Sequence, residues 1–432
     1  MGCETDGRMR SIDGVRAWEI ALIGCVGVAV GACNQNQSGH LRAVEHGDRA
    51  ARPIERGSPV AEVREACGAE GQVLAEEEAR IGRAPYLQQV TPTSAVVGWV
   101  GISPGQRVRI RRAGVDGVSE VPARVEATAH PPVRGQQMWA PVQGLEPDTT
   151  YCYEIVDGDR PVTQAIGFRT APEPSTTRPV RFIAFGDSGH GGSDQYALRR
   201  QMDGLPFELM LHTGDLAYEE GTLAQIEATV FAPYASLLRH IPLFPIPGGH
   251  DYETDSGAPY REVFALPGES GERWYSFDWG PVHFVALDAE TRLGGQSAWL
   301  ERDLAATRQP WRIVYVHRPL YSSGKHGSDR VLRRELEPIL VRHGVQLVLS
   351  GHEHDYERSR PMHGIVHVVT GGGGRGVRRV TGAAFTAFAQ AVIHLVHVEV
   401  TREELVLRAI DATGTEFDAV TLRNGRAERR RP

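Results

Sequence analysis

The rhythm of hydrophobic and polar positions changes twice along the 432 residues. Between residues 34 and 82, large apolar side chains are sparse among Glu, Arg, Gly, Ala and Gln. That composition predicts a disordered linker with one short helix near 75–81. From Pro85 the pattern becomes one of short strands. Ala95, Val97 and Trp99 alternate with small residues, and 108–112 and 138–145 look alike. Pro104-Gly105, Pro131-Pro132 and Pro147-Asp148 punctuate them as turns. Several short strands at this spacing predict an all-β sandwich. Within it, 145–155 has the form of a tyrosine corner, in which a buried Tyr hydroxyl bonds to nearby backbone and pins the turn into a strand. Residues 172–179 form a short Pro/Ser/Thr linker.

From Val180 onward strand and helix patterns alternate. Strands are predicted at 180–185, 207–212, 243–246, 282–287, 312–316, 346–349 and 365–369, and helices at 194–203, 223–238, 296–306 and 329–342. A final hairpin is predicted from 391–400 and 404–410. This alternation argues for a layered α/β domain, a two-sheet sandwich flanked by helices. The boundaries that follow are a sandwich at 83–172, an α/β domain at 178–422 and a basic tail at 423–432.

The first 33 residues read as a leader. Arg8, Arg10 and Arg16 precede an apolar stretch at 20–32, which is short for a membrane span. Val30-Gly31-Ala32-Cys33 resembles a lipobox, which would place a lipid anchor on Cys33. Cleavage as an ordinary secretory peptide is the other reading. Either implies an exported protein, periplasmic, membrane-anchored or secreted. Export leaves Cys67 and Cys152, which an oxidising compartment would pair or leave as two thiols. The net charge of −7 gives no electrostatic case for nucleic-acid binding.

The candidate chemistry sits just after predicted strands, where open α/β sheets gather ligands. Five such ends carry metal-competent or acid–base groups: Gly186-Asp187, Gly214-Asp215 with Tyr218, Gly248-Gly249-His250-Asp251, His317, and Gly351-His352-Glu353-His354. Two His at i and i+2 of an extended segment point the same way. Mixed His and Asp donors suit zinc, iron and manganese.

In that order these motifs resemble the metallophosphoesterases, and Tyr218 resembles the purple acid phosphatase version. The resemblance covers about residues 84–422. It includes 85–94, which is similar to the opening strand of that family's fibronectin type III-like N-terminal domain. It implies two metal ions. Asp187, Asp215, Tyr218 and His354 would hold ferric iron, and Asp215, His317 and His352 would hold Zn, Mn or Fe(II). Hydrolysis of small phosphate monoesters by attack of a metal-bound hydroxide would follow. His250 would protonate the leaving group, and His326, nine residues after His317, would contact phosphate. The chain departs from the family at Gly249, where the family carries an Asn ligand to the second metal. A phosphodiesterase or nucleotide-directed enzyme on the same metals remains open, as does a surface-anchored binding protein with a partly degenerate site.

Overall fold

The computed structural model describes residues 42–45, 54–68, 79–132, 134–268 and 270–424. The leader, Cys33 and the tail beyond residue 424 lie outside them. Among the described residues of the predicted linker, two segments form regular structure. Arg42–Glu45 pairs antiparallel with Glu416–Arg423, and Ala61–Cys67 is a helix. Val60, Val63 and Cys67 fall on one helical face and are buried. The spacing is helical, but the charged residues between them dilute the signal. The helix lies against Thr150–Asp157 and Ile166–Arg169, and a disulfide joins Cys67 to Cys152. Of the helix expected near 75–81, residues 75–78 lie outside the described residues, and Ile81 opens the strand Ile81–Gln88. At the other end, Arg423 belongs to the last strand rather than to a tail.

Two antiparallel sheets follow. One has the strand order Ile81–Gln88, Ser94–Gly101, Gln136–Gln143, Arg124–Glu126. The other orders Ile166–Arg169, Thr150–Asp157, Gln106–Arg112, Ser119–Pro122, with Arg160–Pro161 beside Thr150–Asp157. Val97, Trp99 and Met138 of the first share a buried cluster with Val108, Tyr153 and Ile155 of the second. The Tyr151 hydroxyl accepts a hydrogen bond from the Glu146 amide at 3.0 Å, which closes the tyrosine corner.

The second half holds two seven-stranded sheets. In one, Val180–Phe185, Leu209–His212 and Leu243–Pro245 run parallel. In the other, Val282–Leu287, Trp311–Val316, Leu347–Ser350 and Val366–Thr370 run parallel. Rings from the two sheets meet at Phe182–Phe284 (5.1 Å) and Phe244–Phe277 (3.8 Å). Helices Gly294–Ala306 and Arg330–Arg342 bury Leu300, Leu304, Leu332, Leu336 and Leu340 in a second core. The predicted final hairpin gains a third strand, Glu416–Arg423.

The predicted helix 223–238 is interrupted. Thr222 and Gln225 start it with a reciprocal capping box, but Glu227–Phe231 is a π-helical turn before Ala232–Leu238 resumes. The wider turn lets the Thr229 hydroxyl donate to the carbonyls of Leu216 (2.9 Å) and Gln225 (2.7 Å). The same turn presents Glu227 to Arg83 of the first β unit. Arg83 bonds that carboxylate through Nε at 2.9 Å and stacks over Phe231 at 4.1 Å. Two phenols tie the same interface, Tyr86 to the Val263 carbonyl (2.7 Å) and Tyr153 to the Arg239 carbonyl (2.8 Å).

On the outer edge of the second large sheet, His283 bridges Asp278 (2.7 Å) and Asp303 (2.8 Å). Burial opposes its positive charge, but the two carboxylates outweigh it and lift the imidazole to about 9. The unfolded value is about 6.5. The bridge therefore contributes its full stability below about pH 6.5 and loses it as pH rises through about 9. His283→Gln is expected to lower unfolding free energy by about 2 kcal/mol near pH 6, and the gap to the wild type should close above pH 9 in denaturant titrations. Replacing Cys67 and Cys152 with Ser is expected to remove about 2–4 kcal/mol, matched by reduction of the wild type with dithiothreitol.

Candidate metal centre

The parallel strands of both sheets deliver their C-terminal ends to one pocket. Asp187 follows Val180–Phe185, Asp215 follows Leu209–His212, His317 follows Trp311–Val316, and His352 and His354 follow Leu347–Ser350. Asp187, Asp215 and His317 each offer a ligand atom within 4.8 Å of the other two. Their backbones are unusual. Asp187, Asp215 and His352 have φ of +56°, +55° and +70°. L-residues seldom adopt this region, and it recurs where a side chain must be aimed. Each chain turns sharply as it leaves its strand, directing the functional group into the pocket.

Tyr218 reaches back as its spacing from Asp215 allows. Its hydroxyl lies 2.9 Å from Asp215 Oδ2, 3.1 Å from Asp187 Oδ1 and 3.3 Å from His354 Nε2. His354 Nε2 is 3.5 Å from Asp187, and His317 Nε2 is 3.4 Å from Asp215. The ring of His352 sits 5.2 Å from that of His317, centroid to centroid. Its amide donates to both Asp187 oxygens, at 3.1 and 2.9 Å. All six predicted ligands thus share one pocket.

The electrostatics of that pocket call for cations. Asp187 is wholly buried, and burial pushes its carboxyl well up; His317 pulls it down, while Asp215 pushes it further up. Burial also penalises the Asp215 anion, but His317 beside it holds the carboxyl well below the usual range. Burial opposes the His317 cation in turn, and Asp215 nonetheless raises the imidazole to about 10. His352 and His354 are pushed the other way by burial, to about 2 and about 3, which leaves both rings neutral and free to ligate. His317 Nε2 is buried without a hydrogen-bond partner, while its Nδ1 donates to the Thr213 carbonyl at 2.8 Å. A second-sphere acceptor on one nitrogen and an orphaned nitrogen facing carboxylates is how a metal-ligating imidazole is set. Two carboxylates, a phenol and three imidazoles fit a pair of zinc, iron or manganese ions.

His250 and His326 flank the cluster. The His250 amide donates to Asp215 Oδ1 (2.9 Å), and its ring lies 4.3 Å from that of Tyr218. Its Nδ1 donates to the Glu219 carbonyl at 2.7 Å, so Nε2 is the free nitrogen. The His326 ring lies 4.7 Å from that of His352.

Sequence reasoning gave no role to three side chains that hold this geometry. Asp251 accepts from the amides of Leu216 (3.0 Å), Ala217 (3.2 Å) and Gly248 (2.9 Å), binding the Asp215 loop to the His250 loop. Burial and the neighbouring Asp215 raise its carboxyl to about 7. Glu353 accepts from the amides of His326 and Gly327, tying that loop to the 352–354 turn. His212 packs beneath, bonded to the Ser188 hydroxyl at 2.8 Å, and burial keeps it neutral at about 3. Asp251 and Glu353 lie inside the quoted motifs, so the motifs held the signal without indicating that these carboxylates serve backbone amides.

All the predicted ligands, His250 and His326 lie within residues 180–356, and that span matches the calcineurin-like phosphoesterase family. Proteins similar to this chain include purple acid phosphatase 23 of Arabidopsis thaliana, 30% identical over 281 residues, which are 54% of this chain and 61% of that protein. Acid phosphatase type 7 of Homo sapiens is 29% identical over 242 residues, 45% of this chain and 54% of that one. The chain spans about half to three-fifths of the length of these curated relatives. Purple acid phosphatase PPD1 from yellow lupin (Lupinus luteus) seeds superposes with a TM-score of 0.71 at 21% identity, over 78% of this chain and 74% of that one, which shows a shared fold.

If Asp251 sets the two loops that carry Asp215 and His250, Asp251→Ala strands three buried amides. Unfolding free energy should fall by about 2–4 kcal/mol, and metal content measured by elemental analysis should fall with it. A variant that kept full metal content at unchanged stability would remove this role.

Proposed function

We propose that this chain is an exported, purple acid phosphatase-like hydrolase of phosphate monoesters that works through two metal ions. The observation that carries the reading is the convergence of Asp187, Asp215, Tyr218, His317, His352 and His354 in one buried pocket. Asp187, Asp215, Tyr218 and His354 would hold one ion, with ferric iron favoured by the phenolate. Asp215, His317 and His352 would hold the other, so Asp215 would serve both.

The two ions, when bound, supply a water activated near neutral pH and neutralise charge on the phosphate. The protein supplies the remainder. His250, fixed by its Nδ1 bond to the Glu219 carbonyl, holds Nε2 ready to give a proton to the leaving oxygen. His326, beside His352, offers a donor to a phosphate oxygen. Thr213 and Asp251 keep His317 and the two ligand loops in register. The Cys67–Cys152 disulfide supports export, because such bonds persist in oxidising compartments. The leader would then end at Cys33 as a lipid anchor. We read the N-terminal pair of sheets as a fibronectin type III-like module.

The test is elemental analysis and visible absorbance of the purified full chain, together with phosphate release from chromogenic mono- and diesters. About two ions per chain, a tyrosinate-to-iron absorption band and turnover of the monoester are expected. His250→Ala should lower kcat about a hundred-fold with metal content unchanged. Metal-replete protein that hydrolysed neither ester would favour a binding protein, and diester turnover alone would make it a phosphodiesterase.

A further inference from the structure

Gly249 leaves room for a β-carbon, and an ion pair borders that space. A β-carbon placed on Gly249 would lie 3.5 Å from Glu290 Oε2 and 3.9 Å from Arg318 Nη2. Glu290 and Arg318 form a two-pronged bridge, Nε to Oε1 at 2.9 Å and Nη2 to Oε2 at 2.6 Å. The Glu290 side chain is only 6% exposed, whereas that of Arg318 is 37% exposed. The guanidinium is thus pinned along one edge and open to solvent elsewhere.

The guanidinium lies close enough to the pocket to interact with Asp215. Arg318 directly follows His317. The residue after Gly249 donates its amide to Asp215, and the β-carbon position of Gly249 is 3.9 Å from Arg318 Nη2, so this turn touches both groups. Arg318 also helps to depress the His352 imidazole, so its charge reaches the ligand set. A guanidinium carries five N–H donors. The bridge to Glu290 uses one on Nε and one on Nη2. Three remain, two on Nη1 and one on Nη2, and that edge matches two oxygens of a phosphate group.

We propose that Arg318, held by Glu290 over Gly249, is a substrate-contacting residue that binds the non-bridging oxygens of the phosphate group beside His317 and His352. This rests on the phosphoesterase reading of the site. Glu290 is a positioning residue that keeps the free edge of the fork aimed at the pocket. A merely structural role for the pair is the competing account. Glu290 is buried, so removing Arg318 strands its carboxylate and lowers stability under either account; the two accounts therefore separate in orthophosphate binding by the folded protein rather than in melting temperature.

The experiment uses the metal-replete full chain and inorganic orthophosphate as the probe, with Kd from isothermal titration calorimetry and metal content from elemental analysis. Arg318→Ala is expected to weaken orthophosphate binding about ten- to a hundred-fold while keeping its metal ions. Arg318→Lys should recover only part of that, because a point charge lacks the fork. Glu290→Gln, which frees the guanidinium, should weaken binding by a smaller factor of about three to ten. Orthophosphate binding by Arg318→Ala equal to the wild type would overturn the proposal. So would loss of metal in that variant, which would make Arg318 a support of the metal centre. Wild-type protein that took up no metal would instead overturn the phosphoesterase reading, and this proposal with it.

Discussion

Two buried carboxylates that cannot both be anionic without nearby positive charge govern this structure. Asp187 and Asp215 arrive from neighbouring parallel strands of one sheet, and both are lost to solvent. Placing two anions in so dry a pocket is costly unless cations compensate. His317, from the facing sheet, provides part of that compensation. The neutral rings of His352 and His354 and the phenol of Tyr218 complete the wall. The fold can be read as a device for keeping these groups together. Parallel strands bring their ends to one side, left-handed backbone at three positions turns the side chains inward, and Asp251 and Glu353 fasten the loops from behind.

Much of this was legible in the sequence, because burial and chemistry leave different marks. The parallel strands are continuous apolar runs, and 180–185 and 282–287 are found where the pattern puts them. The ligand residues stand directly behind those runs, which is why their order along the chain sufficed to collect them. Strands on the margins were harder to see. Tyr275–Trp279 and Thr386–Gln390 carry partly exposed, mixed side chains and offer neither a clean alternation nor an apolar block. The helix Ala61–Cys67 was hidden because seven residues give too few turns to reveal a face among charges. The π-helical turn was illegible for another reason. Pro233, which has no N–H to give the ladder, marks a break in 223–238 but not its kind, and the contacts of Thr229 and Glu227 that go with the wider turn are tertiary.

The same division runs through the site. Donors to a metal are recognisable by type and place. Residues that act on backbone amides, such as Asp251 and Glu353, are ordinary acids in turns until the structure shows what they hold. Gly249 is the clearest case. In the sequence it reads as an absence, the missing ligand of a familiar motif. In three dimensions the neighbouring Glu290–Arg318 pair borders the space above it, so the change alters what lines the pocket there.

The hold of Glu353 on the amides of His326 and Gly327 bears on any attempt to re-engineer selectivity. The segment carrying His326 is the natural place to graft a different substrate-facing surface. Its backbone, however, is moored to the turn that carries His352 and His354. Gly324 sits so close to Glu353 and Asp355 that a larger residue there would collide with them. A transplanted segment must therefore bring two correctly aimed amides and a residue without a side chain at that point, or the graft will disturb the metal-bearing turn before it changes what the cleft accepts.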